Sequence, residues 1–328
     1  MPDLANRVFG ISQQTDFQNI VLEVFKLQSE KNQVYRDFVR YLGIDPADVR
    51  RTEDIPFLPA GFFRNHRIIT GSRSGKLVFE SSGTGGAMTS RHYIADPEVY
   101  EMSYLGSFRL FYGNPSEYFI AALLPSYTER GNSSLVYMAA GLIKKSAFSQ
   151  SGFYGKNIDD LLENIRKARA EKRKIILLGV SFALLDLAEK YSPDLSGVIV
   201  METGGMKGRR REMTREELHA VLKKGFNVKN IHSEYGMTEL LSQAYSGGDG
   251  LFRCPPWMRI LIRDPRDPLC IMEETGQSGG INIVDLANIH SCSFIASDDL
   301  GKIDDSGSFE VLGRFDNSDI RGCNLLME

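Results

Sequence analysis

KIILLGVSFALLDLAEKYSPDLSGVIVME, from Lys174 to Glu202, decides how the rest of the chain is read. Lys174 to Val180 is a near-continuous apolar run, the pattern of a strand covered on both faces. Phe182 to Tyr191 carries apolar residues at helical spacing, and Pro193 and Gly197 then punctuate the chain. Val198 to Glu202 is apolar again and reads as a second strand. Upstream, Tyr118 to Leu124 reads as a buried strand or helix, and Ile158 to Lys172 as an amphipathic helix. Downstream, Thr214 and Glu217 form a capping box for a helix through Lys224, and Lys229 to Ser233 is another strand. Leu77 to Glu80 is a short strand further upstream. Strands alternating with helices predict an α/β fold: doubly wound, mostly parallel sheets with helices on both faces.

The flanks differ from this centre. Thr15 or Asp16 can cap a helix whose apolar positions are Phe17, Ile20, Val21, Val24 and Phe25. Val34 to Leu42 continues the helical pattern, Gly43 stops it, and Pro56 and Pro59 mark an irregular stretch. After Gly247 the helices fade. Met258 to Ile262, Gly280 to Asp285 and Phe309 to Leu312 read as short strands of a small antiparallel β subdomain.

The 328 residues are enough for one large globular unit or two ordinary domains. A net charge of −3 argues against a nucleic-acid protein, which shows a basic excess. The basic run Lys207 to Arg211 reads as a solvated loop. No secretory leader is expected, and the apolar run Ile175 to Leu185 is too short to span a bilayer. The four cysteines lack disulfide or metal spacing, which fits free thiols in a reducing, cytoplasmic setting.

Three elements carry chemistry. Ser81-Ser82-Gly83-Thr84-Gly85-Gly86 follows a strand, and its glycines let backbone N–H groups approach an anion. It is no P-loop, because no Gly-Lys-Ser/Thr follows. A flexible glycine turn would look the same. Tyr235-Gly236-Met237-Thr238-Glu239 also follows a strand and is expected to open at the carboxyl edge of the same sheet, where ligands bind in open α/β folds. An aromatic ring can stack on a base, Thr can bond phosphate and Glu can hold Mg²⁺. Glu239 is equally compatible with an ordinary helix start. Third come Asp299 and Arg314, a carboxylate and a guanidinium suited to a ribose diol and a phosphate, or to a β-hairpin with charged turns.

In order and spacing, from about Phe79 to Gly322, these elements resemble the adenylate-forming superfamily of acyl-CoA ligases, synthetase adenylation domains and luciferases. Ile55-Pro56-Phe57-Leu58-Pro59, Glu202 to Gly208 and Asp319 to Cys323 resemble the acyl-protein synthetases of bacterial bioluminescence. The resemblance implies one body over 1–328. Its parts are a helical segment (1–75), an α/β nucleotide core (76–246), a β subdomain (247–322) and a tail (323–328). The superfamily's small C-terminal domain, with its catalytic lysine, is expected to be absent.

By resemblance, Ser81, Ser82, Gly83, Thr84, Gly85 and Gly86 hold the ATP phosphates. Gly204 and Gly205 line the adenine, Tyr235 stacks on it, and Gly236 and Met237 complete that loop. Thr238 touches the α-phosphate and Glu239 carries Mg²⁺. Asp299 bonds the ribose with help from Arg314, and Asp316 is the hinge. The usual lysine after the glycine turn is missing; Arg91 stands nearby as a substitute phosphate contact.

Cys323 lies seven positions beyond Asp316, so an extended tail reaches roughly 23 Å. Arg321 favours its thiolate, and such a thiolate can attack an acyl-adenylate. The resemblance implies that Cys323 carries the acyl group; an inert terminal cysteine is the plain alternative. Cys254, Cys270 and Cys292 read as packing residues, His232 as packed beside the site, and His66 and His92 as possible acyl or phosphate contacts.

The expected function is therefore an ATP-dependent acid–thiol ligase, an acyl-protein synthetase. It would form acyl-AMP from a fatty or other carboxylic acid and pass the acyl group through Cys323 to a partner, by family analogy a reductase. The alternatives are an acyl- or aryl-CoA ligase lacking its C-terminal domain, and a non-catalytic nucleotide-binding module.

Overall fold

The computed structural model describes residues 2–81, 89–125, 131–155, 157–204 and 213–315. The central sheet has the order Gly152–Phe153, Tyr118–Leu123, Lys174–Val180, Ile199–Thr203, His232–Tyr235, Ala244–Ser246. Its first four pairings are parallel, and only the last is antiparallel. Tyr118–Leu123 pairs in parallel with Lys174–Val180 and Gly152–Phe153, which decides for a strand there, and every residue of it is buried.

Alternation explains the double burial. Phe119, Ala121, Ile175 and Leu177 face helices Ile158–Ala170, Ser181–Tyr191 and Arg215–Phe226, where Leu161, Ile165, Leu184, Leu218 and Leu222 meet them. Tyr118, Ile120, Ala122, Ile176 and Leu178 face the other way, into a core with Tyr104, Phe108, Met138 and Leu142 from helices Pro97–Tyr112 and Ser134–Lys145. Helices cover both faces, as the apolar runs predict.

A second sheet carries the C-terminal part. Strands Leu251–Phe252, Phe309–Arg314, Phe294–Ile303, Gly279–Asp285 and Met258–Arg263 pair antiparallel in that order, and Leu58–Pro59 adds a short parallel pairing. Helices Gln14–Lys31 and Gln33–Tyr41 dock on this sheet. The rings of Phe25 and Tyr35 lie 6.0 and 5.9 Å from that of Phe294. The Gln28 amide donates to the Asn288 carbonyl at 3.0 Å, and its oxygen accepts from the Ser293 N–H at 2.9 Å.

Four expectations need correction. Leu77–Glu80 is not part of the parallel sheet but pairs antiparallel with Arg91–Ile94. The ten intervening residues, 81–90, are too few for a crossover helix. The strand expected at Lys229 to Ser233 runs His232–Tyr235, because the chain leaves the preceding helix through left-handed Asn227 and reaches the sheet only opposite Met201. The first long helix starts at Gln14, ahead of the expected Thr15 or Asp16 caps, and Gln13 makes no side-chain cap bond. Phe294–Ile303, the ten-residue strand that carries Asp299, was not among the expected strands.

Candidate active site

The site lies where the carboxyl end of the parallel sheet meets the second sheet. Tyr235 ends its strand with its ring buried edge-on against Phe252 and Phe309, at 5.9 and 5.4 Å. Its hydroxyl donates to Asp299 Oδ2 at 2.8 Å. Burial first, and the Asp299 charge second, raise the phenol far above its ordinary range, so it stays a donor. Asp299 sits opposite Arg314 in the antiparallel register, and Arg314 Nε donates to Asp299 Oδ1 at 3.1 Å. The aspartate is buried while the arginine side chain is 76% exposed, so the guanidinium reaches outward from a fixed base. A carboxylate has about four acceptor positions, so Asp299 keeps capacity for hydroxyl donors. Gly301, two residues on, has no room for a side chain: a Cβ there would lie 2.5 Å from the Glu310 carbonyl oxygen.

Ser81 and Ser90, which flank the glycine-rich stretch in sequence, are bonded to each other. Ser81 N–H donates to the Ser90 carbonyl at 3.0 Å, and Ser90 N–H donates to Ser81 Oγ at 2.9 Å. Ser90 lies beside Glu239. Glu239 is buried; burial raises its carboxyl, while Ser90 and the charges of Arg314 and Arg64 pull it back. His92 Nδ1 lies 2.9 Å from the Thr238 carbonyl. Ser81 and Ser90, the Tyr235–Glu239 segment and the Asp299/Arg314 pair therefore share one neighbourhood, although strands Leu77–Glu80 and His232–Tyr235 belong to different sheets.

Gly204 follows strand Ile199–Thr203 with φ +67, exposed, and its carbonyl accepts from Ser181 at 3.0 Å. Gly236 is exposed and tightly backed: a Cβ would lie 2.5 Å from Glu234 Oε1. Met237 packs partly against the core, and Thr238 is half-buried. The structure does not bring Arg91 into the group: it is exposed, and alternation puts it on the opposite hairpin face from His92. His232 is packed beside the site, with its ring against Tyr112. Cys292 is buried and Cys254 half-buried, but Cys270 is exposed in a turn and is not a packing residue. Ser82, Gly83, Thr84, Gly85, Gly86, Gly205, the basic run Lys207 to Arg211, Asp316 and Cys323 lie outside the described residues.

Sequence reasoning passed over Glu234. It is a buried carboxyl that accepts from the Thr203 hydroxyl and lies near Glu202, itself buried beside Arg215 and His219. Burial pushes Glu234 up to about 7 from an ordinary 4.5. A carboxyl raised in the folded chain holds a proton that the unfolded chain has released. Its burial therefore costs stability as pH rises from about 4.5 to about 7, on the order of 3 kcal/mol once both states are ionised. Glu234→Gln is expected to melt roughly 4 °C above wild type at pH 8, and level with it at pH 4.5, in paired thermal scans.

A cleft of about 1050 Å³ opens elsewhere, between Ile11–Phe17 and the 247–260 and 303–308 segments; none of the described candidate site residues lines it, whereas Cys254 does. Among the described residues no cluster of three or more His, Cys, Asp or Glu is placed to hold a metal, and no helix is long and apolar enough to cross a membrane.

No protein-family model and no curated protein matches the sequence. Solved structures do match. A 2-hydroxyisobutyryl-CoA ligase in complex with an acyl-AMP superposes with TM-score 0.67 at 13% identity, over 94% of this chain and 69% of that one. The chain shares the fold of this ligase. ATP-bound MatB from Rhodopseudomonas palustris matches with TM-score 0.52 at 15% identity, over 74% of this chain and 49% of its own. A long-chain-fatty-acid-CoA ligase from Archaeoglobus fulgidus matches with TM-score 0.52 at 16% identity, over 76% of this chain and 53% of its own. The chain thus spans about half to two thirds of the length of these adenylate-forming structures.

Proposed function

We propose that the chain is an AMP-forming acid ligase that activates a carboxylic acid with ATP. The observation that carries this reading is the meeting of Ser90, Glu239, Tyr235, Asp299 and Arg314 at one junction of the two sheets. The fold adds support, because solved chains that share it are described with ATP or with an acyl-AMP bound. In this proposal Asp299 accepts the ribose hydroxyls, Arg314 and Thr238 contact phosphate, and Tyr235 and Gly204 border the base. Glu239 suits Mg²⁺, which is commonly held by one or two carboxylates together with substrate phosphates and which neutralises phosphate charge. The acid's carboxylate attacks the α-phosphorus, pyrophosphate leaves, and acyl-AMP remains. Fixed donors aimed at the developing charge supply the acceleration.

The finer proposal concerns the acceptor. The Cys323 thiolate attacks the acyl carbonyl, the C–O bond to AMP breaks, and a thioester forms while AMP departs with the electron pair. Neither the fold nor the comparisons support a reductase partner, and the next acceptor is left open. The test is to incubate the chain with ATP, Mg²⁺ and labelled acid. Wild type is expected to carry hydroxylamine-labile label, and Cys323→Ser to lose it while still producing hydroxamate when hydroxylamine traps acyl-AMP. Label retained by Cys323→Ser removes the tail cysteine as acceptor. Label absent from both, with rapid acyl-CoA formation on adding CoA, assigns the acceptor role to a free thiol instead.

A further inference from the structure

His92 is a poor residue for its position unless one of its nitrogens matters. It is fully buried on strand Arg91–Ile94, with its ring edge-on to Phe63 at 5.4 Å. A carbonyl only accepts, so the 2.9 Å contact between His92 Nδ1 and the Thr238 carbonyl fixes the proton on Nδ1. Nε2 is buried and has no hydrogen-bond partner among the described residues. A buried, unpaired imidazole nitrogen is a cost that phenylalanine or leucine would avoid. The cost is tolerated at a site where the other nitrogen joins two segments 146 residues apart.

Those segments are the ones the proposed chemistry needs aligned. Two residues before His92, Ser90 lies beside Glu239 and exchanges two hydrogen bonds with Ser81. The strand end therefore meets two consecutive residues, with Ser90 beside Glu239 and His92 bonded to the Thr238 carbonyl. Burial lowers the imidazole to about 4, so the neutral, Nδ1-protonated form persists at neutral pH.

We propose that His92 is a positioning residue: its Nδ1–H locks the Thr238–Glu239 peptide onto strand Arg91–Ile94, so that Thr238 and Glu239 address one phosphate chain together. This rests on the reading of the site as an ATP-dependent acid ligase. It adds a residue that touches no substrate and acts through the backbone. A displacement on the order of 1 Å in such a constellation costs about 100-fold in rate.

Three chains are compared: wild type, His92→Asn, whose amide can donate from near the Nδ1 position, and His92→Phe, which keeps an aromatic ring but no donor. Acid-dependent ATP–pyrophosphate exchange is measured below their melting temperatures, with amide hydrogen exchange across 236–241. His92→Phe is expected to lose roughly 10- to 100-fold in kcat with KM for ATP within about threefold, and to exchange 236–241 faster while 174–180 stays protected. His92→Asn is expected to recover most of both. A folded His92→Phe with wild-type kcat overturns the proposal, as does His92→Asn equally impaired at equal stability. If wild type shows no pyrophosphate exchange with any acid, the ligase reading falls instead. Unchanged protection of 236–241 in His92→Phe would then overturn the clamp on its own terms.

Discussion

Glu239→Gln is expected to lower acid-dependent pyrophosphate exchange by on the order of 100- to 1000-fold, with the chain folded and its melting temperature unchanged or slightly raised. The geometry sets both halves of that expectation. Glu239 is buried, so ionising it is unfavourable; Ser90, Arg314 and Arg64 partly offset that cost. Glutamine keeps the volume and a polar end while removing the buried charge, so folding does not suffer. What disappears is the anionic oxygen that the proposed reading assigns to Mg²⁺ beside the phosphate chain. Initial rates at saturating ATP and acid, with a melt on the same sample, check it. Exchange within threefold of wild type would remove Glu239 from the machinery.

The second large effect belongs to Asp299→Ala, expected to raise the apparent KM for ATP about 10- to 100-fold and to lower stability by about 1–3 kcal/mol. Both carboxylate oxygens are in use: Oδ2 accepts from buried Tyr235 at 2.8 Å and Oδ1 from Arg314 at 3.1 Å. Alanine leaves a buried phenol with no acceptor and frees the guanidinium from its base. Asp298 next door is the control. Its side chain is 57% exposed and its contact with Arg64 is long, at 3.8 Å, so Asp298→Ala is expected to change either quantity little. ATP titrations of the exchange rate and urea melts separate the two effects. Equal responses from the two variants would mean that Asp299 is not special.

The parts of the molecule legible from sequence are those where one local rule dominates. Lys174–Val180 is bounded as read, because seven residues covered on both faces admit little polarity. The Thr214/Glu217 capping box forms both of its bonds. The pairing of Asp299 with Arg314 came from the resemblance, and the antiparallel register of their strands sets them opposite each other. Harder to see was the strand beneath Asp299: in Phe294–Ile303 a serine, two aspartates and a glycine mask the alternation, and a register shift between Leu300 and Gly301 breaks it. The links that assemble the site lie beyond local rules. His92 to Thr238 and Ser90 to Glu239 join segments nearly 150 residues apart, and no spacing announces them. Glu234 reads as one more charged letter beside a motif, and only its burial shows that it is raised to about 7.

Acid-dependent ATP–pyrophosphate exchange on the unaltered chain tests the central claim most directly, because it requires ATP, acid and Mg²⁺ to meet in one place and needs no downstream acceptor. With Mg·ATP and a panel of alkyl and aryl acids of graded length, label is expected to pass from pyrophosphate into ATP with at least one acid, and not without acid. No exchange across the whole panel, from protein that binds ATP and melts cooperatively, would contradict the account and leave a nucleotide-binding module in its place.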